Sequence, residues 1–130
     1  MRKFSYCYIR LVNYLFILFI LFNGNSVRAE SETELRCGWF ENSSPNDASF
    51  TDKDGEWTVS IQGGYEAKGN WPTFKKTEWV KTGTGNYGYG CACMKVMVNK
   101  DSQEIIEIIK ADSKPLLDCK RDKKLKEPTN

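Results

Sequence analysis

Histidine is absent from all 130 residues. The chain therefore lacks the side chain on which most acid–base chemistry near neutral pH relies, and any zinc site would have to do without imidazole. It also lacks a membrane-length apolar run. The longest, Leu11 to Phe22, is interrupted only by Asn13 and falls short of the ~20 residues a spanning helix needs. No excess of one charge marks a polyanion binder, since 19 basic residues face 17 acidic ones. Internal repeats and linker-like segments are missing too.

What is present first is an export signal. Arg2, Lys3 and Arg10 form a basic start, the apolar run follows, and Asn23-Gly24-Asn25-Ser26 breaks it. Val27-Arg28-Ala29 then supplies the small residues a signal peptidase reads, which places cleavage after Ala29. Cys7 precedes the apolar run, so it is not a lipidated cysteine. Residues 1–29 are the expected leader, 30–122 a single domain and 123–130 a charged tail expected to fray. The leader removes Arg2, Lys3, Arg10 and Arg28 but no acid, turning the net charge from +2 to −2. Nucleic acid is not an expected partner of such a chain, nor is a membrane after cleavage. Nothing in the pattern sets an oligomeric state.

The exported portion is small, and small exported domains depend on covalent staples. Its cysteines are Cys37, Cys91, Cys93 and Cys119. Residues i and i+2 of a strand project in parallel with Cα atoms ~6.6 Å apart, so a Cys91–Cys93 bond would be strained. Each of the two is expected to reach a different partner, one Cys37 and the other Cys119. The spacing leaves open which takes which. The rival reading of Cys91-Ala92-Cys93 is a redox pair or soft-metal site, but thiol catalysis needs an activating cation and zinc wants four ligands. Structural disulfides are the expected role, with no metal and no cofactor.

The pattern along the chain is mainly β: a small antiparallel β domain with a short C-terminal helix and two disulfides, or alternatively α+β. Asp52-Lys53-Asp54-Gly55 marks a tight hairpin turn. Glu56 to Gln62 alternates, with Trp57, Val59 and Ile61 on one face. Glu78–Thr82 and Cys91–Val98 are further strands. Residues 104–110, rich in isoleucine, fit helical spacing as well as a strand, and their β-branching favours the strand. Ser113 could cap a helix that Pro115 opens and that runs to about Cys119. The acidic turn at 52–56 is not a calcium loop, because glycine and glutamate do not fall at the required positions.

Several blocks carry a resemblance: Arg36-Cys37-Gly38-Trp39-Phe40-Glu41-Asn42, Asp54-Gly55-Glu56-Trp57-Thr58, Trp79-Val80-Lys81-Thr82 and, most specifically, Gly88-Tyr89-Gly90-Cys91-Ala92-Cys93. Over roughly residues 35–122 the chain resembles a family of small exported bacterial proteins catalogued as domain of unknown function 4087. The resemblance implies a Gram-negative periplasmic or secreted location and implies no activity.

Two kinds of site residue stand out. Glu41, Asp54, Glu56, Glu66 and Glu78 lie among aromatics and could serve a small hydrolase, but such enzymes need a cleft that a domain of ~100 residues seldom spares. Tyr87 and Tyr89, flanked by Gly88 and Gly90, read as a recognition loop, because tyrosine beside glycine combines rigid area with a hydroxyl. Trp71 is a second exposed candidate, with Asn70 and Asn86 as adjacent amides. The expected function is thus non-catalytic: an exported protein binding or inhibiting an envelope protein through the Gly/Tyr loop, or alternatively a glycan- or peptidoglycan-binding module. A thiol-redox protein is the remaining class.

Overall fold

The computed structural model describes residues 32–129; the expected leader and its cleavage site lie outside them. Seven strands follow one another: β1 (Thr33–Ser44), β2 (Asp47–Asp52), β3 (Gly55–Ser60), β4 (Lys68–Gly69), β5 (Trp79–Lys81), β6 (Gly88–Asn99) and β7 (Glu104–Lys114). One short helix, α1 (Leu116–Arg121), comes last. No helix of the described residues is long and apolar enough to cross a membrane.

Strands β1, β2 and β3 form an antiparallel meander, and β1 pairs on its other edge with β6, which pairs with β7. Strand β7 then returns to β3 in parallel at Thr58 and Glu104, where the Thr58 amide donates to the Gln103 carbonyl at 2.8 Å. Five strands thus close into a ring with the strand order of small OB-type barrels. Strands β4 and β5 extend it, pairing with β7 and β6. The fold is mainly β, as expected. The two parallel pairings, invisible to local pattern, make the sheet mixed rather than purely antiparallel.

Alternation places one set of side chains inside the ring. Phe40, Phe50, Trp57, Val59, Met94, Val96 and Ile105 are buried together there. Ile61, expected on the face of Trp57 and Val59, is 51% exposed because β3 stops at Ser60. One side of the core ends in a buried charge. The Arg36 guanidinium lies 4.0 Å over the Trp57 ring and donates to Asp52 Oδ2 at 2.5 Å. Asp52 Oδ1 accepts from the Trp57 indole at 3.1 Å and from the Asp54 amide at 2.8 Å, tying the hairpin turn to the core. Removing one member of such a buried pair strands the other, at about 3–5 kcal/mol.

Residues 104–110 are strand, and that strand runs on to Lys114. Ser113 therefore does not cap the helix as expected. It belongs to β7, and Pro115 occupies the capping position instead. The cysteines on the outer face of β6 take different partners: Cys93 bonds Cys37 across the β1–β6 ladder, and Cys91 bonds Cys119 of α1. With sequence separations of 56 and 28, each restricts the unfolded chain by about 4 kcal/mol in the loop-entropy picture.

Where β1 passes the end of β2, Gly38 has no room for a side chain. A Cβ there would stand 2.0 Å from the Thr51 carbonyl oxygen and 3.0 Å from Asp52 Cα, backbone atoms of the crossing strand that cannot swing away. Gly38→Ala is accordingly expected to cost about 3 kcal/mol and to lower the melting temperature by on the order of 15 °C. Gly64→Ala, whose Cβ would meet nothing closer than 3.8 Å, should shift stability by no more than ~0.5 kcal/mol. Paired thermal melts check the contrast.

Candidate functional site

The connection from β3 to β6, residues 61–87, crosses one end of the barrel and builds the site. It is anchored early, where the Tyr65 hydroxyl donates to the Ile105 carbonyl at 2.7 Å and the Ala67 amide to that of Val59 at 2.8 Å. Trp71-Pro72-Thr73-Phe74 then lies over the core. Trp71 and Phe74 pack on Phe40, with ring centroids 5.6 and 6.1 Å away, and Phe74 continues onto Trp79 at 4.8 Å. The Trp79 indole donates to the Asn86 carbonyl at 3.2 Å, joining β5 to the following loop.

Glycine makes this approach possible. A Cβ at Gly90 would meet the Phe74 ring at 2.6 Å, and one at Gly88 would meet the Val80 carbonyl at 2.0 Å. The two glycines of the Gly/Tyr block are therefore seats for Phe74 and β5.

Around the half-buried rings of Trp71, Phe74 and Trp79 runs an open groove of about 920 Å³. Asn42 and Asn86 line it together with Lys75, Lys76 and Lys81, and no carboxylate does. Glu78 is close in sequence but turned away. Its carboxylate accepts from the Lys75 amide at 3.1 Å and from the Ser113 hydroxyl at 2.8 Å, pinning the loop to the end of β7. The Lys75 backbone bond foremost, then Ser113, holds the Glu78 carboxyl below the ordinary glutamate range.

The structure thus gathers two expected residues, Trp71 and Asn86, in one groove. Asn70 lines an adjoining depression shared with Trp71 and the outer part of β7. The two tyrosines are a correction. Tyr89 is buried, 5% exposed, and Tyr87 is half-buried. Tyr89 meets Trp39 edge to face at 5.4 Å on the far side of β6, under α1 and beside the Cys91–Cys119 bond. Its hydroxyl donates to Glu127 at 3.0 Å, and Leu125 packs on the same cluster. Burial first, then Glu127, raises the Tyr89 hydroxyl above its ordinary pKa. The tail expected to fray is therefore a packed strap at Leu125 and Glu127. Alternation explains the error: the face opposite the missing glycine side chains is not open but covered from elsewhere in the chain.

The scattered carboxylates do not form a pair in the groove. Asp54 joins the Arg36 network, Glu66 is exposed at a bridge to Ser60, and Glu78 pins the loop. Glu41, raised by burial and by Glu56, borders the Tyr89 side of β1. Among the described residues all four cysteines are bonded, and no group of three His, Cys, Asp or Glu could hold a metal ion. Phe74, Trp79 and the three lysines were the residues that sequence reasoning missed.

Fold and groove define a small disulfide-stapled β-barrel domain with an aromatic, basic cleft at one end. The chain belongs to the family described as Protein of unknown function (DUF4087), whose profile matches residues 31–126. No curated protein and no solved structure matches it.

Two measurements follow from this site. Tyr89→Ala should cost ~3–5 kcal/mol as a buried-aromatic truncation, and Tyr87→Ala about 1 kcal/mol. Equal melting shifts would contradict the burial difference. Glu78, held low in the fold, binds fewer protons there than in the unfolded chain, so its contribution is present at neutral pH and lost as pH falls through its folded value. The stability gap between wild type and Glu78→Gln should therefore narrow on acidification below the ordinary glutamate range, as read by melts over a pH series.

Proposed function

We propose that this is a non-catalytic exported binding protein that holds a saccharide chain in the Trp71–Phe74–Trp79 groove. The observation that carries the reading is one cleft in which three half-exposed aromatic rings lie beside the amides of Asn42 and Asn86. Aromatic faces supply apolar area for the flat side of a sugar ring, and a few polar groups fix its orientation. The cleft has the volume of a ligand site, and its lining offers neither a paired carboxylate nor a free thiol for bond cleavage. The two disulfides fit an oxidising compartment such as the periplasm, where peptidoglycan is the abundant glycan. A protein partner is a second reading, favoured by the exposure of Asn86 in the groove lining and of residues 83–85 that precede it.

Sedimentation of the oxidised protein with purified peptidoglycan tests the proposal. Wild type should pellet with the polymer, and Trp71→Ala should weaken binding about 30-fold, as for a central aromatic anchor worth ~2 kcal/mol. Trp71→Phe should retain most of it. Unchanged binding by Trp71→Ala, with an unchanged melt, would remove the groove from the reading.

A further inference from the structure

The charge around the groove identifies its ligand more narrowly. Lys75, Lys76 and Lys81 all line it, and Lys81 belongs to β5 while the other two precede it. Their positive charges are nearly unanswered. Lys75 Nζ is 82% exposed on its side chain and only 3.9 Å from Glu78, whose carboxylate is engaged by Ser113 and the Lys75 amide. Among the described residues, Lys76 and Lys81 take part in no ion pair. The cleft lining thus carries three lysines, only Lys75 within ion-pair reach of a carboxylate, and no carboxylate of its own. Charge of one sign focused at a cleft raises the local concentration of the opposite charge.

Resting on the groove reading above, we propose that the saccharide is acidic: a short run of sugar rings bearing carboxylates, the rings on Trp71 and Trp79 and the carboxylates toward the three lysines. A carboxylated sugar uses both halves of the lining at once, whereas a neutral glycan would leave the lysines idle. An acidic peptide would use the lysines, but it has no rigid flat ring to lay against the indoles. A nucleic-acid strand calls for a basic track along several phosphates, and here the charge is confined to one cleft.

Tryptophan fluorescence titration of the oxidised protein tests this with tetragalacturonate, its fully methyl-esterified form and a tetraglutamate peptide. The acid tetramer should bind about tenfold more tightly than its ester at 50 mM salt, and the gap should close near 0.5 M, where screening is strong. Lys75→Gln/Lys76→Gln/Lys81→Gln, three changes at exposed side chains, should abolish the tenfold preference of the acid over the ester. Equal affinity for acid and ester would overturn the acidic assignment while the saccharide reading stands. Failure of both sugars to bind would overturn the saccharide reading itself. Tighter binding of tetraglutamate than of the acid sugar would overturn the ligand class.

Discussion

Strand β1 has to hold β2 along one edge and β6 along the other while turning over a core only one side chain deep, and Gly38 is where that becomes possible. The Thr51 carbonyl occupies the place of its missing Cβ. From that crossing the rest follows. The close approach brings Asp52 to Arg36 and Trp57, so the buried charge is satisfied where the meander folds back. On its other edge, the β1–β6 register sets Cys37 opposite Cys93 on the outer face. It also directs Phe40 inward at the far end, where the irregular connection lays Trp71 and Phe74 against it.

Strand β6 performs a comparable double task. Its inward face carries Gly88, Gly90, Ala92 and Met94, narrow at the start and filled beyond, and the narrow part admits Phe74 and β5. Its outward face carries Tyr89, Cys91 and Cys93, which are covered or cross-linked by β1, α1 and the C-terminal strap. Each side of one strand thus has a different partner. The groove exists because the inward partner is a loop of aromatic residues instead of a continuous helix or strand.

Electrostatics follow the same division. At one end of the barrel, Arg36 is surrounded by Asp52, Asp54 and Glu34, and the charge is neutralised in place. Near the other end, lysines face solvent around half-buried rings, and the carboxylate of Glu78 is engaged by the Lys75 amide and the Ser113 hydroxyl. Stability is the physical content of the first arrangement, since a buried ion without partners is costly. Affinity for an opposite charge is the content of the second.

Alternation at Trp57 and Val59, the Asp54-Gly55 turn, the β-branched run at 104–110 and the parallel projection of Cys91 and Cys93 were all legible, because each depends on neighbours two to four residues away. Strand β1 was not, since Trp39 and Phe40 are buried on opposite faces and erase the period of two, nor was β2, whose buried face of Ala48, Phe50 and Asp52 carries a single large apolar side chain. The tyrosine block reads as an exposed recognition loop, and Tyr89 is instead buried. The glycines at 88 and 90 read as leaving the tyrosines unbacked, whereas Val80 and Phe74, distant in the sequence, occupy the space beside them. The sequence by itself thus determined a β-rich, doubly cross-linked domain without histidine chemistry. Only the tertiary structure decided which cysteines bond, that Tyr89 is core, and that Trp71, Trp79 and three lysines share a cleft. Ring closure and long-range burial are set by contacts between segments far apart in the chain, on which local periodicity carries no information.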